Sequence, residues 1–191
     1  VSIRTKKNQI SKIKTSILCV SGGFNPDIHL FTQSKGLLKW DKDYLTFKPD
    51  RIFQKTITLG SVSGNFSYEK LLVEVEKKLS EFEGLNELEV KFEINGPEKF
   101  QIKELWETKH EKKSLWSKSF IDLQNDVTTK DLRQAVNEGF NRIEHLKRFT
   151  TNSMGTDQGK ISSINALGIV SKILKKDISE VGTTTYRPPY S

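Results

Sequence analysis

Few residues of this chain carry side chains able to do chemistry. One cysteine, Cys19, stands between Leu18 and Val20. A lone thiol excludes an internal disulfide and an all-cysteine metal site, and these apolar neighbours predict a small buried hydrophobe, not a nucleophile. His110 sits in the charged run Lys109-His110-Glu111-Lys112-Lys113 with no metal-ligand spacing around it, and reads as a solvated side chain. His29 falls on an expected short helix and reads as a hydrogen-bonded structural residue, not an acid or base. The stronger signals are backbone ones. Gly22-Gly23 ends an apolar run, Ile13 to Val20, and precedes Asn25-Pro26, which predicts a helix to Thr32 with Asn25 as cap and Pro26 in its first turn. Strand, glycine turn and helix start together suit a phosphate or a ribose. Ile57 to Gly64 repeats the pattern ahead of a second helix, and there a cofactor turn and a scaffold turn are equal readings. A third candidate is the loop Met154 to Lys160, which leads into a helix N-terminus where free N–H groups and the Lys160 charge attract anions. A plain helix cap and linker explains that loop equally well.

These turns must be held by elements the sequence also predicts. Residues 1–20 read as two strands with a turn at Lys7-Asn8-Gln9, and Leu37 to Trp40 and Tyr44 to Phe47 as two more around Asp41-Lys42-Asp43. Apolar residues at 68, 71, 72, 75, 79 and 82 have the spacing of an amphipathic helix over Tyr68 to Phe82. Residues 84–118 are charged and without period, and are expected to run as a linker anchored by Trp106 and Trp116. Beyond it Thr128 and Asp131 form a capping box for a helix with Leu132, Ala135 and Val136 inside and Gly139 at its end. A second helix holds Ile143, Leu146 and Lys147, and a third carries Ile161, Ile164, Leu167, Gly168, Val170 and Leu174. The tail from Gly182 ends in Arg187-Pro188-Pro189, which fixes an extended course.

At 191 residues, with 35% hydrophobic and 29% charged side chains, a packed core is possible under much polar surface. The net charge of +7 and the pI near 9.4 raise a nucleic-acid reading. Acidic residues are interleaved with the basic ones, as in Glu69-Lys70 and Glu76-Lys77-Lys78, so a solvated lysine-rich surface is preferred and neither nucleic acid nor membrane is expected as a partner. No apolar run approaches the roughly 18 residues of a membrane helix, and Ile17 to Val20 is too short for a signal-peptide core, so a soluble cytoplasmic protein is expected.

Three strings, taken in order, resemble the alpha subunit of heterotetrameric sarcosine oxidases: Val20-Ser21-Gly22-Gly23-Phe24-Asn25-Pro26 with His29-Leu30 following; Phe120-Ile121-Asp122-Leu123-Gln124-Asn125-Asp126-Val127-Thr128; and Glu144 to Thr151 through Met154 to Lys160 and on to Val181 to Pro189. The resemblance covers nearly the whole chain and is weakest over 50–118. It implies a part of a flavoenzyme that oxidises sarcosine to glycine and passes the one-carbon unit to tetrahydrofolate. FMN would lie between the alpha and beta subunits, FAD and tetrahydrofolate would bind elsewhere, and the beta, gamma and delta subunits would be partners.

The implied fold is α+β: a small β-rich remnant of a dinucleotide-binding domain, then a compact helical domain similar to 2Fe–2S ferredoxin-like modules without the cluster. Residues 1–83 would end an FAD/NAD(P)-type dinucleotide-binding domain, 84–118 would link, 119–181 would form the helical domain, and 182–191 would lead towards an absent folate-binding domain. The glycine-rich first turn that seats a dinucleotide pyrophosphate is missing too, so the isolated chain is expected to be inactive, with no catalytic residue of its own. The resemblance carries a partial NAD site onto Gly22, Gly23, Asn25, Leu30 and Thr32, where Leu30 reads equally as a core leucine. A flavin interface is hypothesised at Gln158, Lys160, Thr184 and Arg187. The shared frame puts Asp122, Gln124, Asp157 and Ser162 at the positions of cluster thiolates. None is cysteine, so no iron–sulfur cluster is expected and these side chains should instead hydrogen-bond their loops. A basic nucleic-acid-binding adaptor is the alternative function, and a stand-alone ferredoxin-type electron carrier a third.

Overall fold

The computed structural model describes residues 1–4, 9–19, 23–80, 102–108, 119–183 and 185–189. Among them three two-stranded antiparallel hairpins alternate with six α-helices in a mixed α/β arrangement. The first hairpin pairs β1 (Ser2–Arg4) with β2 (Ile10–Lys12), Ser2 opposite Lys12. No described element packs over it: Ile3 and Ile10 are half-exposed. The strand expected over Ile13 to Val20 is absent from 13–19, where Ile17 and Leu18 are 74% and 63% exposed and Cys19 is exposed as well. An apolar run becomes a buried strand only where a partner strand and a covering face exist, and the described residues supply neither.

Helix α1 (His29–Gln33) also departs from expectation, starting four residues after Asn25, behind Ile28, with no side-chain cap. Ile28 is drawn into the core at 3% exposure, and the Asp27 carboxylate is bonded to His29 and Lys160. These contacts hold 26–28 outside the helix. Strands β3 (Leu37–Asp41) and β4 (Thr46–Arg51) form the expected second hairpin. Its turn is closed by Asp41, whose carboxylate accepts from the Asp43 and Tyr44 amides at 2.9 and 3.1 Å. The Trp40 and Phe47 rings meet edge-on at 4.9 Å.

Over Ile57 to Gly64 the chain makes a 3₁₀ turn, Gly60–Ser63, instead of a strand. Gly60 and Gly64 take positive φ of 66° and 78°, a conformation that glycine adopts without penalty. The Gly60 amide and the Asn65 side chain both donate to the Glu74 carboxylate at 3.2 Å. Glu74 belongs to α2 (Tyr68–Leu79), capped by Ser67. Because the helix's own carboxylate takes the glycine amide, this turn is scaffold.

The last hairpin, β5 (Phe120–Asp122) with β6 (Val127–Thr128), runs into α3 (Thr129–Asn137). The predicted capping box is present: the Thr128 amide donates to Asp131 at 2.8 Å, and Gly139 ends the helix at φ +94°. Helices α4 (Ile143–Thr150) and α5 (Ser163–Leu174) follow, then α6 (Ile178–Val181), a short helix the apolar pattern did not announce. It is set by a second box, in which the Asp177 amide donates to Glu180 at 2.8 Å. Leu132, Leu146, Leu167 and Val170 are sealed from solvent at 1% or less, each contributing about 2 kcal/mol by burial.

Ile28 and Phe47 belong to the same core cluster as these helix residues. Trp106 packs on Gly168 of α5, where a Cβ would fall 2.2 Å from the indole, so only glycine lets the ring lie flat on the helix. Trp116 and His110 lie outside the described residues. No helix among the described residues is long and apolar enough to cross a membrane.

Candidate functional site

The β5–β6 turn and the loop between α4 and α5 are stitched together by side chains. Asp122, 3% exposed, accepts from the amides of Gln124 (2.9 Å), Asn125 (3.2 Å) and Ser153 (2.7 Å). The Gln124 amide group donates to Thr156 at 3.0 Å and accepts from the Asp157 N–H at 3.2 Å. Asp157 receives the amides of Gly159 (3.1 Å) and Ile161 (3.2 Å), and Ser162 meets the buried Ser153 hydroxyl at 2.8 Å. Asp122, Gln124, Asp157 and Ser162 thus converge on two facing loops. Their donors are carboxylates, an amide and a hydroxyl, all engaged with the protein's own polar groups. They do not fit an iron–sulfur cluster, which requires thiolates. No group of three or more His, Cys, Asp or Glu side chains poised for a metal ion occurs among the described residues.

The five residues assigned to NAD are not gathered by the structure. Gly22 lies outside the described residues, and Gly23 is exposed with φ +88°. Leu30 is 75% exposed, so it is not a core leucine. The Thr32 hydroxyl is committed to the carbonyls of His29 (2.9 Å) and Tyr186 (3.0 Å), which ties α1 to the C-terminal tail. Asn25 lines a cavity of about 210 Å³ that it shares with Asp27, His29, Lys160 and buried Tyr186. That volume falls below the roughly 300 Å³ at which ligand pockets begin, so it suits part of a nucleotide and not a whole dinucleotide. Lys160 donates to Asp27 at 2.6 Å. Burial pushes the Asp27 carboxyl up, but hydrogen bonds from Lys160 and His29 outweigh it and hold the group below its ordinary value.

The flavin set divides as well. Lys160 faces Asp27 in the small cavity, and Thr184 lies outside the described residues. Gln158 and Arg187 line a different pocket of about 570 Å³ together with Thr185, Met154, Ser153 and three residues of α4: Glu144, Lys147 and Arg148. Helix spacing brings 144, 147 and 148 onto one face. Glu144 is spent on Arg148, whose guanidinium donates to its carboxylate at 2.8 Å and its carbonyl at 2.7 Å. Neither Lys147 nor Arg187 is in ion-pair contact with a carboxylate among the described residues, and Glu144 acts on Lys147 only from farther off. Burial pushes the Lys147 ammonium below its ordinary value; Glu144 opposes this, and Arg187 and Arg148 add to it.

A pocket that sets Lys147, Arg148 and Arg187 against the single carboxylate of Glu144 fits an anionic group, and the Thr185 hydroxyl and the Gln158 amide on its wall can donate hydrogen bonds to phosphate oxygens. Sequence reasoning missed Lys147 and Arg148 as site residues. The only signal was two adjacent basic residues in the last turn of α4, which equally serve the helix dipole.

Residues 116–191 match the family model described as "Sarcosine oxidase A3 domain". Over 187 residues, 94% of this chain, it is 29% identical to the sarcosine oxidase subunit alpha of Corynebacterium sp. (strain P-1), of which it covers 19%. Over 186 residues, again 94%, it is 33% identical to the sarcosine oxidase subunit alpha of Rhizobium meliloti (strain 1021), of which it covers 18%. The chain spans about a fifth of the length of these curated relatives. Among solved structures, L-proline dehydrogenase from P. horikoshii superposes with a TM-score of 0.55 at 22% identity, over 98% of this chain and 40% of that one. That likeness is one of fold.

Proposed function

We propose, from the chain's place as a segment of the sarcosine oxidase alpha subunit family, that it builds one wall of a flavin site at a subunit interface and has no catalytic residue of its own. The observation that carries this reading is the pocket of Lys147, Arg148, Gln158 and Arg187, a cationic cavity formed where α4 meets the tail. A flavin phosphate carries close to two negative charges and would bind there, with Lys147 and Arg187 as its counter-ions. FMN would supply the electron transfer; the residues of this chain would hold its phosphate and keep the loops around it in place. Lys160 contributes by another route, pinning Asp27 and the 25–28 segment to the loop that carries Gln158.

In the whole enzyme the beta subunit would complete the FMN site, and the gamma and delta subunits would join the assembly. FAD and tetrahydrofolate would bind outside this chain. Sarcosine would be oxidised to glycine in the cytoplasm, with its one-carbon unit passed to tetrahydrofolate. The 210 Å³ cavity beside Asn25 would form part of the wall of an NAD site completed by residues outside this chain. The knit of Asp122, Gln124, Asp157 and Ser162 fits a ferredoxin-like frame in which hydrogen bonds do the bracing a cluster would do. Alone, the chain would turn over no substrate.

The test is flavin content in the full-length alpha subunit co-purified with its beta partner. Arg187→Ala and Lys147→Ala should each lower FMN per complex while FAD content stays at the wild-type level. FMN unchanged in both variants would overturn the assignment.

A further inference from the structure

At the C-terminal end of α5, remote in sequence from the loop that feeds its N-terminus, lies an open groove of about 640 Å³. Trp40, Leu45, Ile102 and Ile178 give it an apolar floor. Five lysines and two carboxylates surround it. Both carboxylates are already occupied. Asp177 takes Lys42 at 2.8 Å and also the Ser179 amide and hydroxyl, while Glu104 takes the Trp106 indole N–H at 2.7 Å and faces Lys172 at 3.6 Å. Lys103, Lys175 and Lys176 are exposed and have no carboxylate partner among the described residues. The negative end of the α5 dipole accounts for lysines near residue 175. It does not account for Lys103, which reaches the same groove from the separate 102–108 segment.

We infer that this groove docks an acidic peptide segment that lays an apolar side chain on the Trp40 floor and sets carboxylates against Lys103, Lys175 and Lys176. Charge complementarity and an apolar floor together select such a ligand. A purely apolar segment would leave the lysines unanswered, and a purely acidic one would leave the floor wet. The site shares no residue with the flavin pocket and stands or falls independently of it.

The probe is a fluorescein-labelled peptide, Glu-Glu-Leu-Phe-Glu-Glu, followed by anisotropy against the intact chain at low salt and at roughly tenfold higher ionic strength. Binding should weaken at the higher salt. It should also fall about tenfold in the double variant Lys103→Glu, Lys175→Glu, whose exposed positions leave the fold intact by circular dichroism. Replacing Leu-Phe by Ser-Ser in the peptide should weaken it by a similar factor. Absence of binding to the wild-type chain overturns the inference, as does equal binding to the charge-reversed variant. Tighter, equally lysine-dependent binding of a single-stranded oligonucleotide also overturns it, and would make the groove a nucleic-acid surface.

Discussion

Asp122 carries more of the loop architecture than any other side chain of the site, and its replacement measures that directly. In Asp122→Ala the Ser153 amide, in a residue 1% exposed, loses its only partner, and a buried N–H left unpaired costs about 1–3 kcal/mol. The amides of Gln124 and Asn125 lose charged acceptors too, but they lie in exposed turn residues that water can reach, so their loss adds less. A net destabilisation of about 3 kcal/mol follows, which for a chain of this size lowers Tm by roughly 6–12 °C. Asp122→Asn keeps one oxygen for the turn amides but loses the charge, and its new N–H₂ opposes the Ser153 N–H, so about half that loss is expected. Urea unfolding gives the free energies, and amide exchange at Ser153 reports the local contact. Exchange should accelerate in the Ala variant well before global unfolding does. An Asp122→Ala protein within about 0.5 kcal/mol of wild type, with the Ser153 amide still protected, would refute the reasoning.

Gly168→Ala should destabilise the chain by about 1–3 kcal/mol, because the added methyl group would lie 2.2 Å from the Trp106 ring and must displace it; a red shift of tryptophan emission with the drop in Tm checks it. Lys147→Met should raise stability at about pH 7, since burial disfavours the ammonium and methionine keeps the stem's packing. With the folded value below the ordinary 10.5, the unfolded chain binds this proton more tightly, so wild-type stability at this site rises between the two values. The gap between variant and wild type should therefore close at about pH 11, and urea midpoints at both pH values decide it; a Met variant less stable than wild type at neutral pH refutes the burial argument.

Local rules were read correctly wherever the interaction spans a few residues. The Thr128–Asp131 box, Gly139 at the end of α3, the turn at Asp41 to Asp43 and the apolar faces of α3 and α4 all depend on spacing within one element, which the residue order states outright; α2 forms at its expected start but buries no side chain, and Ile161, expected on the third helix, precedes α5 and is 71% exposed. The mutual stitching of Asp122, Gln124 and Ser162 to facing loops was also foreseeable, since polar side chains must find partners when buried. The run from Ile13 to Cys19 failed for the opposite reason. Its apolar residues are real, but strand formation depends on a neighbour that the run itself does not specify. Asn25 failed as a cap because Ile28 and Asp27 are held by distant partners.

Residue order alone determined the kind of protein this is: a chain of mixed helices and strands with a single thiol and three ordered strings that resemble one family. Only the tertiary structure decided which of the chosen residues act together. It separated Lys160 from Arg187, placing one against Asp27 and the other beside Lys147 and Arg148. It gave the glycine turn at residue 60 to Glu74, left Leu30 in solvent and used the Thr32 hydroxyl to hold the tail. The reason is physical. Charges and hydrogen-bond donors are satisfied by whatever lies within about 3 Å, and that neighbour is set by how the helices pack, not by separation along the chain.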